Sequence, residues 1–574
     1  MAPKSWWQSF KYRLALSPVF YRFTEMIPAF LSYTILLAPV IIAFFSPVVV
    51  AYIVILFDLF WFFRVVSMSV CLILGYSRVQ KTSHIDWLGL CKKSAGLNAS
   101  LKKINREIKE LEKEHGFKTS QRGPFHVGVK GHYLAQYRVL INQKKELLKL
   151  RELRKDVPHW RSLYHLVVVP TYNEKLHVLL PSMEALIKSQ YPLDRVIFVL
   201  ATEERALTRA KINIKALKKR YGNKFFKFIA TVHPKDLPGE NKVKSANTTY
   251  AVQQAEKFLN KKGIKPEKVI VTAMDCDTRV HPQYLSCLTF KYLITKKREH
   301  HTYQPSIMLF NRIWDVPAAN RLAAIGSSFW TMIEAMRPER MRIFSSHAVG
   351  LKALQDVGYW DKTIIPDDSR IYWQTYFKYG GKAELVPLNI PVYLDAVLAD
   401  NYVKTLKEQY LQLRRWSWGV IDIPYVVKNN LLDNKIPFLK KFVQTYRIFE
   451  SFLTWATMPL FLSIITWVPL IVNRNFSETI LGHNYPMIGS LVLTYATIGL
   501  IVTVIISLLL LPPQPKSYPF WKRFIFIPQW IIYPIFTILL GSLPALDSQT
   551  RLLFGKYLEK KGFRVTIKSK KVMK

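Results

Sequence analysis

Two kinds of residue are scarce in this chain, namely acids and cysteines. Its 39 Asp or Glu residues are outnumbered by 82 Lys or Arg residues, which gives a formal net charge of +43 at pH 7. Its 4 cysteines show none of the paired spacings that bind metals. The shortage of cysteine argues against a disulfide-stapled secreted domain and against a cysteine-based metal site, and we expect the thiols to remain reduced.

A signal peptide and a nucleic-acid-binding motif are also missing. Residues 1–26 are basic and aromatic, but they lack a short apolar core followed by a cleavage site. The positive charge would suit nucleic acid, yet no recognisable nucleic-acid motif accompanies it. Basic loops beside apolar spans bind the anionic cytoplasmic face of a membrane. We therefore expect a lipid bilayer as the partner and no nucleic acid.

Long apolar runs are abundant, and hydrophobic residues make up 50% of the chain. Residues 27–76 are almost continuously apolar, which predicts two spans at about 20 residues per crossing, with a turn at Ser46 and Pro47. Two further spans are predicted near Phe449–Val472 and Ile488–Leu511. The sequence therefore predicts a multi-pass membrane protein.

Polar residues in and beyond these runs bear on the topology. Asp58 and Arg64 interrupt the second span, so they either mark a polar pathway or pair with each other near the membrane surface. Phe524–Leu546, within the segment 512–550, is apolar enough to cross although three prolines interrupt it, but a single crossing would put the basic tail 551–574 outside the cell. We therefore predict an interfacial or re-entrant segment there, and four full crossings.

Three buried apolar runs in the middle of the chain predict parallel strands of an α/β sheet. Each run ends in acidic or polar residues, and open α/β sheets build their ligand sites at the carboxyl ends of their strands. The runs are Leu166–Pro170, Val196–Leu200 and Lys268–Ala273.

The chain thus divides into eight predicted segments. They are a basic cytoplasmic N-terminus (1–26), a transmembrane hairpin (27–76), a cytoplasmic amphipathic helical segment (77–162), a catalytic α/β domain (163–402), interfacial helices (403–448), two transmembrane helices (449–511), an interfacial or re-entrant segment (512–550) and a cytoplasmic tail (551–574).

Two acidic pairs follow predicted strands or precede helices. Asp275 and Asp277 supply paired oxygen ligands for a hard divalent cation, although such a pair is also common in turns. Asp367 and Asp368 precede a helix, where adjacent carboxylates are either functional or an ordinary acidic N-terminus.

Residues 403–426 are predicted to form one amphipathic interfacial helix before the apolar C-terminal helices, and it carries a third group of residues, Gln412, Arg415 and Trp416. A guanidinium suits a diphosphate and an indole face suits a sugar ring. A Trp–Arg cluster can equally be an interface anchor, so this group gains meaning only from the segments around it.

Six segments together resemble a known family, the family 2 membrane glycosyltransferases, close to bacterial cellulose synthase and hyaluronan synthase. The resemblance implies a mixed, mostly parallel GT-A α/β domain inserted between transmembrane helices, a UDP-sugar donor, Mg²⁺ or Mn²⁺, and inverting transfer. The segments are PTYNE (170–174), KSAN (244–247), DCD (275–277), PDD (366–368), QLRRW (412–416) and FRVTIK (563–568).

On the donor side, the resemblance implies that Thr171, Tyr172 and Glu174 hold uracil and ribose. Relatives usually carry Asp at the next acidic position, where this chain has Glu203, which could instead cap the following helix.

For the diphosphate and the metal, the resemblance implies three residues. Lys244 meets the diphosphate, with neighbouring Lys242 as the alternative. Asp277 ligates the metal, and Asp275 supports the metal and the ribose.

On the acceptor side, Asp368 is the implied general base, with Asp367 beside it. Arg415 would contact the diphosphate, Trp416 would stack on the acceptor sugar, and Gln412 would order the site. The terminal segment resembles the gating loop that closes over the nucleotide, with four implied contacts: Phe563, Val565, Thr566 and Lys568.

The resemblance predicts a plasma-membrane polysaccharide synthase whose catalytic domain is cytoplasmic, assisted by accessory export proteins or by self-association. One alternative is transfer of a single sugar to a lipid, as in ceramide glucosyltransferase or polyprenyl-phosphate transferases. Another is an inactive assembly protein that keeps only the nucleotide-binding sheet. Product size and turnover distinguish the three.

Overall fold

The computed structural model of the protein describes residues 6–115, 130–153, 157–516 and 526–562, together with Arg564 and Thr566. Six helices precede the sheet. They are α1 (Trp6–Leu16), α2 (Pro18–Phe45), α3 (Pro47–Ser83), α4 (Trp87–Ala95), α5 (Leu97–His115) and α6 (Lys130–Glu152).

Local sequence sets the boundaries of the first long helices. The Ser17 hydroxyl accepts a hydrogen bond from the Phe20 amide at 3.3 Å and caps α2, and Pro18 occupies the first helical turn. The chain breaks at Ser46 and restarts at Pro47, as predicted for the hairpin turn. The helical pair is longer than the predicted 27–76. Helix α2 begins earlier, at Pro18, and helix α3 ends later, at Ser83.

The described residues form an eight-stranded mixed sheet in the order β3-β2-β1-β4-β7-β6-β8-β5. β2, β1 and β4 lie side by side and parallel, with Val168 of β1 level with Val199 and Ala273. The strands are β1 (Tyr164–Pro170), β2 (Val196–Glu203), β3 (Lys227–His233), β4 (Val269–Ala273), β5 (Arg279–Val280), β6 (Thr302–Asn311), β7 (Ala348–Gly350) and β8 (Leu385–Asp395).

Helices cover both faces of this sheet. Val167 packs into the core on one face, while Leu166 and Val168 pack into a second core on the other, so β1 is apolar throughout. The helices of the domain are α7 (Leu176–Ile187), α8 (Leu207–Tyr221), α9 (Lys244–Lys261), α10 (Tyr284–Leu293), α11 (Ala318–Ala335), α12 (Leu351–Val357) and α13 (Asp367–Lys378).

The rest of the described chain is helical. One correction concerns residues 403–426, predicted as a single helix, which form α14, a 3₁₀ turn at Trp418–Ile421 and then α15. These helices are α14 (Tyr402–Ser417), α15 (Asp422–Leu432), α16 (Phe438–Ser463), α17 (Val468–Val472), α18 (Arg474–Ser477), α19 (Ile480–Leu510), α20 (Tyr533–Thr537) and α21 (Leu543–Leu553).

Several helices are suited to a membrane. Within the described residues, three are long and apolar enough to cross one, and a fourth arises if α16 and the segment Ile465–Val472, bent by 44°, count as one span. The three are α2, α3 and Pro528–Leu553. The predicted fold class, a mixed sheet flanked by helices and lying between apolar helices, is confirmed.

The segment Pro528–Leu553 follows the catalytic domain along its length. Gln529 accepts a hydrogen bond from Arg321 of α11 at 3.3 Å, and the Pro544 carbonyl accepts one from Ser417 of α14 at 3.1 Å. Near its other end, Asp547 pairs with Arg414 at 2.9 Å. The segment is long and apolar enough to cross a membrane, so the interfacial or re-entrant placement of 512–550 stays a prediction.

Candidate active site

The carboxyl ends of β1, β2 and β4 meet at one edge of the sheet, because the three strands are parallel neighbours. Thr171 follows β1, Glu203 ends β2, and Asp275 follows β4. All three line one cavity of about 650 Å³. The structure therefore brings together the strand-end residues that the sequence singled out.

The residues implied in nucleotide binding form a compact corner of this cavity. The Glu174 carboxylate accepts a hydrogen bond from the Tyr172 amide at 2.7 Å, and the Arg205 guanidinium lies 5.0 Å from the centre of the Tyr172 ring. Glu203 is buried and paired with Arg205, and it does not cap the following helix. Burial raises the pKa of Glu203, against the opposing effect of Arg205.

Three carboxylates converge on the Lys244 ammonium, and we call this group the carboxylate cluster. The Lys244 Nζ lies 3.4 Å from Asp275, 3.7 Å from Asp367 and 3.4 Å from Asp368. Burial opposes the charge on Lys244, but the three carboxylates raise its pKa well above its usual range. Lys242, the alternative in the sequence, pairs with Asp236 at 3.3 Å and is 58% exposed.

The two neighbouring aspartates of α13 differ in their protonation. Burial, together with the charges of Asp368 and Asp275, raises the pKa of Asp367 to about 7. Burial would also raise the pKa of Asp368, but Lys244 and His347 outweigh it and lower the pKa below the usual range. Asp368 is therefore ionised at neutral pH, while the Asp367 carboxyl is still partly protonated.

This difference predicts a stability that depends on pH. The folded state keeps the Asp367 proton up to about pH 7, whereas an ordinary aspartate loses it near 3.8, so folded protein binds more protons between these values. Raising the pH through this window destabilises the fold. We expect Asp367→Asn to raise the free energy of unfolding by about 2 kcal/mol at pH 8 and by less at pH 5.

Thermal unfolding in detergent at the two pH values measures this effect. Asp194→Asn is the matched control, because this aspartate is 53% exposed and paired with a surface arginine. An equal gain at both pH values for Asp367→Asn would contradict the assigned proton.

His347, at the end of the loop before β7, lies against the carboxylate cluster. Its Nδ1 is 3.2 Å from Asp368, and its Nε2 accepts a hydrogen bond from the Trp360 indole at 3.2 Å. Because an indole N–H can only donate, the neutral imidazole carries its proton on Nδ1, facing Asp368. Neighbouring Ser345 donates to Asp275 at 2.5 Å. Sequence spacing gave no reason to pair His347 with Asp368.

The residues implied for the acceptor lie on α14 at the same cavity. Arg415 donates to the Arg564 carbonyl at 2.5 Å, and Gln412 accepts from Gln409 at 3.3 Å. Trp416 is 36% exposed and lines the cavity. Burial lowers the pKa of Arg415, against the surrounding aspartates.

The chain's last described residues also reach the cavity. Thr566 lines it and accepts a hydrogen bond from Arg415 at 3.4 Å. The other implied gating-loop residues lie outside the described residues: Phe563, Val565 and Lys568.

Two aspartates at the end of β4 could hold a divalent metal. Asp275 and Asp277 offer carboxylate oxygens at one strand end, and one oxygen of Asp277 already accepts the Asp395 amide at 3.0 Å. No three His, Cys, Asp or Glu side chains of the described residues form a metal cage. Mg²⁺ is commonly held by one or two carboxylates together with substrate phosphates, so the residues fit an ion that arrives with a diphosphate.

The cavity continues from the carboxylate cluster to the membrane helices. Trp61 and Met68 of α3 and Trp455 and Met458 of α16 form its far wall. Gly419, in the 3₁₀ turn after α14, lies so close to the Phe452 ring that an added Cβ would be 3.2 Å away. A side chain at position 419 would therefore have to displace the Phe452 ring slightly.

The family comparison agrees with this geometry. Residues 270–546 match the model of the family described as glycosyl transferase family group 2. This region of the chain is therefore similar to family 2 glycosyltransferases. This region contains Asp275, Asp277, Asp368 and the α14 residues, and it ends before the terminal segment. The closer resemblance to cellulose and hyaluronan synthases stays a prediction, and no curated protein matches the chain.

Solved structures with some likeness include a mannosyltransferase from Pyrobaculum calidifontis in complex with GDP-Man and Mn²⁺, at 14% identity and a TM-score of 0.35 over 72% of this chain and 95% of that one. Another is residues 1–349 of TarS from S. aureus in complex with UDP-GlcNAc, at 13% identity and a TM-score of 0.29 over 59% of this chain and 90% of that one. A third is GalNAc-T7 with UDP, GalNAc and Mn²⁺, at 12% identity and a TM-score of 0.30 over 50% of this chain and 57% of that one. TM-scores of this size do not establish a shared fold.

Proposed function

We propose that the protein is an inverting membrane glycosyltransferase that takes a sugar from UDP and extends a glycan, which it also exports. The observation that carries this proposal is the carboxylate cluster around Lys244, located where a cavity runs from the strand ends to the membrane helices. The coarser activity, transfer of a glycosyl group, agrees with the matched family.

In the proposed reaction, the nucleotide lies beside Thr171 and Tyr172, and its diphosphate faces Lys244 and Arg415. Asp368 accepts the proton of the acceptor hydroxyl as that oxygen attacks the anomeric carbon. The bond from the anomeric carbon to the diphosphate breaks, and UDP leaves. One displacement inverts the anomeric configuration.

His347 gives Asp368 a fixed orientation for this role. The imidazole is fully buried and lies between the Trp360 indole and the Asp368 carboxylate. A base whose geometry is set in advance loses less entropy when the acceptor arrives. We assign His347 as a positioning residue.

A divalent ion, Mg²⁺ or Mn²⁺, would be held by Asp277 and Asp275. Bound there, it would neutralise charge that develops on the leaving diphosphate. Lys244 and Arg415 offer two positive charges to the same diphosphate, so the protein's own side chains also neutralise part of its charge.

Transfer of one sugar to a membrane lipid is the second candidate. The observation in its favour is the far wall of the cavity, where Trp61, Met68, Trp455 and Met458 give an apolar lining. Trp416 favours a sugar acceptor, because an exposed indole beside the carboxylate cluster can stack on a pyranose ring. Neither candidate depends on nucleic acid.

The proposed location is the plasma membrane, with the catalytic domain in the cytoplasm, where UDP-sugars are made. The basic surface is expected on the same side, next to anionic lipid. Accessory export proteins or a second copy of the chain would complete a channel that the few spans of one chain leave narrow.

The test supplies purified protein in detergent with radiolabelled UDP-sugars, singly and in pairs, and sizes the products. A high-mass, glycosidase-sensitive product would support the synthase, whereas one sugar on an extractable lipid would support the second candidate. Absence of UDP formation from every donor would contradict both.

The same assay tests the metal. We expect chelation of divalent ions to reduce UDP formation by about 100-fold or more, and added Mg²⁺ or Mn²⁺ to restore it. A denaturation curve before and after chelation serves as the control, since the ion is not expected to hold the fold together. Full activity in chelator would contradict the metal role of Asp275 and Asp277.

A further inference from the structure

The membrane-facing end of the cavity contains four arginines, which we call the arginine cluster. They come from three separate parts of the chain: α3, the loop between α11 and β7, and α16. All four line the cavity: Arg64, Arg340, Arg342 and Arg447. This end therefore contrasts with the strand ends, where carboxylates dominate.

One carboxylate serves two of these arginines. Glu450 of α16 pairs with Arg64 and with Arg340, the latter at 2.5 Å. Glu334, which also lines the cavity, is paired with Arg337 at 2.5 Å. The acids in this part of the cavity are thus already engaged.

Arg342 and Arg447 have no such partner. Within the described residues, no carboxylate lies within the 4.0 Å of an ion pair with either guanidinium. Arg342 donates to the Arg340 carbonyl at 2.9 Å, and Arg447 donates to the Glu339 carbonyl at 3.0 Å. Carbonyl groups orient a guanidinium but leave its charge unbalanced.

Leaving these charges unbalanced is costly in this location. Burial lowers the pKa of Arg342, and the neighbouring Arg447 and Arg340 act in the same direction, against the opposing effect of Tyr372 and Glu334. The Trp373 ring, 5.1 Å from the guanidinium carbon, compensates only in part. An enclosed guanidinium that makes no ion pair is destabilising, so this arrangement is suited to an anion that arrives as a ligand.

The surroundings indicate which anion would fit. Arg64 follows the apolar first half of α3, and the exposed residues of α16 just before Arg447 are apolar, with Phe442 59% and Tyr446 57% exposed. The apolar spans of α3 and α16 would therefore put the cluster near the headgroups of a bilayer. Beside it, the wall formed by Trp61, Trp455 and Met458 would accommodate a hydrocarbon tail.

We propose that the arginine cluster binds the phosphate of a lipid acceptor whose hydrocarbon tail lies against the apolar wall. The inference rests on the proposed sugar transfer at the carboxylate cluster and names the class of acceptor for that site. None of the four arginines is within ion-pair distance of Asp367 or Asp368. The phosphate therefore only anchors the acceptor, and no bond to it forms or breaks. The attacking hydroxyl belongs to a sugar already linked to that phosphate.

One loop connects the two ends of the cavity. It runs from Arg340, tied to Glu450, to Ser345, which donates to Asp275, and to His347 beside Asp368. A phosphate bound at Arg342 would fix the membrane end of this loop. The same backbone would then align the acceptor with the base.

The test compares three probes on the purified full chain in uncharged maltoside micelles: farnesyl monophosphate, farnesol and inorganic phosphate. We expect the lipid phosphate to bind about tenfold or more tightly than the alcohol, since a fork of charged hydrogen bonds is added. Arg342→Gln and Arg447→Gln should each weaken the binding of farnesyl monophosphate by about tenfold and the binding of farnesol by less than about twofold. Arg342→Lys should fall between, because it keeps the charge and loses the fork.

Arg161→Gln is the matched control, because it removes the same charge from an exposed position paired with Asp194. Equal binding of alcohol and lipid phosphate by the wild type would overturn the inference, even if a variant failed to fold. Inorganic phosphate that competes at the same concentration as the lipid would assign the site to a soluble anion and overturn it too. Lack of UDP formation by the wild type would instead reject the proposed function.

Discussion

Asp368→Asn is expected to lower sugar transfer by about a thousandfold while UDP-sugar binding changes by less than about threefold. The carboxylate is kept ionised by Lys244 and His347, and it faces the cavity at 23% exposure. Asparagine retains the shape of this side chain but cannot take a proton. The measurement pairs UDP formation under saturating donor with a direct titration of donor binding.

Asp361→Asn is the control for that experiment, since Asp361 belongs to the loop before α13 and pairs with Arg370 at 2.9 Å outside the cavity lining. Near-normal turnover of Asp368→Asn would remove this residue from the role of base. A parallel loss of donor binding would mean that the substitution disturbs the nucleotide corner instead of the proton transfer.

Lys244→Met is expected to destabilise the folded protein by about 3–5 kcal/mol and to abolish transfer. The substitution leaves Asp275, Asp367 and Asp368 close together without their shared cation. Adding Asp367→Asn to the same protein should recover part of the stability at pH 8, where Asp367 must either carry a charge or take up a proton, and it should not recover activity. Thermal unfolding of both variants measures this coupling.

Lys242→Met provides a matched control two residues away. Its ammonium is mostly exposed and pairs with an aspartate that is 62% exposed, so removing it should change stability by less than about 0.5 kcal/mol. Equal destabilisation by the two methionine variants would show that the effect comes from losing lysine in general and not from the carboxylate cluster.

The sequence could locate the strand-end residues because parallel strands end at the same edge of a sheet. Thr171, Glu203 and Asp275 follow this rule, and β2, β1 and β4 are adjacent as the pattern requires. The roles assigned to these residues remain predictions. Nothing in a strand pattern, by contrast, could place His347 against Asp368, because the loop that joins α11 to β7 has no regular repeat.

Ion pairs between residues far apart in the chain could not be predicted from the sequence either. The sequence left open whether Arg64 pairs with Asp58 near the membrane surface, whereas the structure pairs Arg64 with Glu450 of α16, far along the chain. Asp58 is buried on the same helix, and one of its oxygens has no hydrogen-bond partner among the described residues. Helix periodicity gives the face of a residue, but the partner on another helix depends on how the helices pack.

The sheet order also bears on how the protein is made. β1 to β4 lie at consecutive positions along the chain and form one half of the sheet, so this half can assemble as soon as it leaves the ribosome. At that moment Lys244 has Asp275 but neither Asp367 nor Asp368, which are synthesised later. In the proposed mechanism, this half of the sheet therefore forms before Asp368 and Arg415 exist, and turnover must wait until the chain has added α13 and α14.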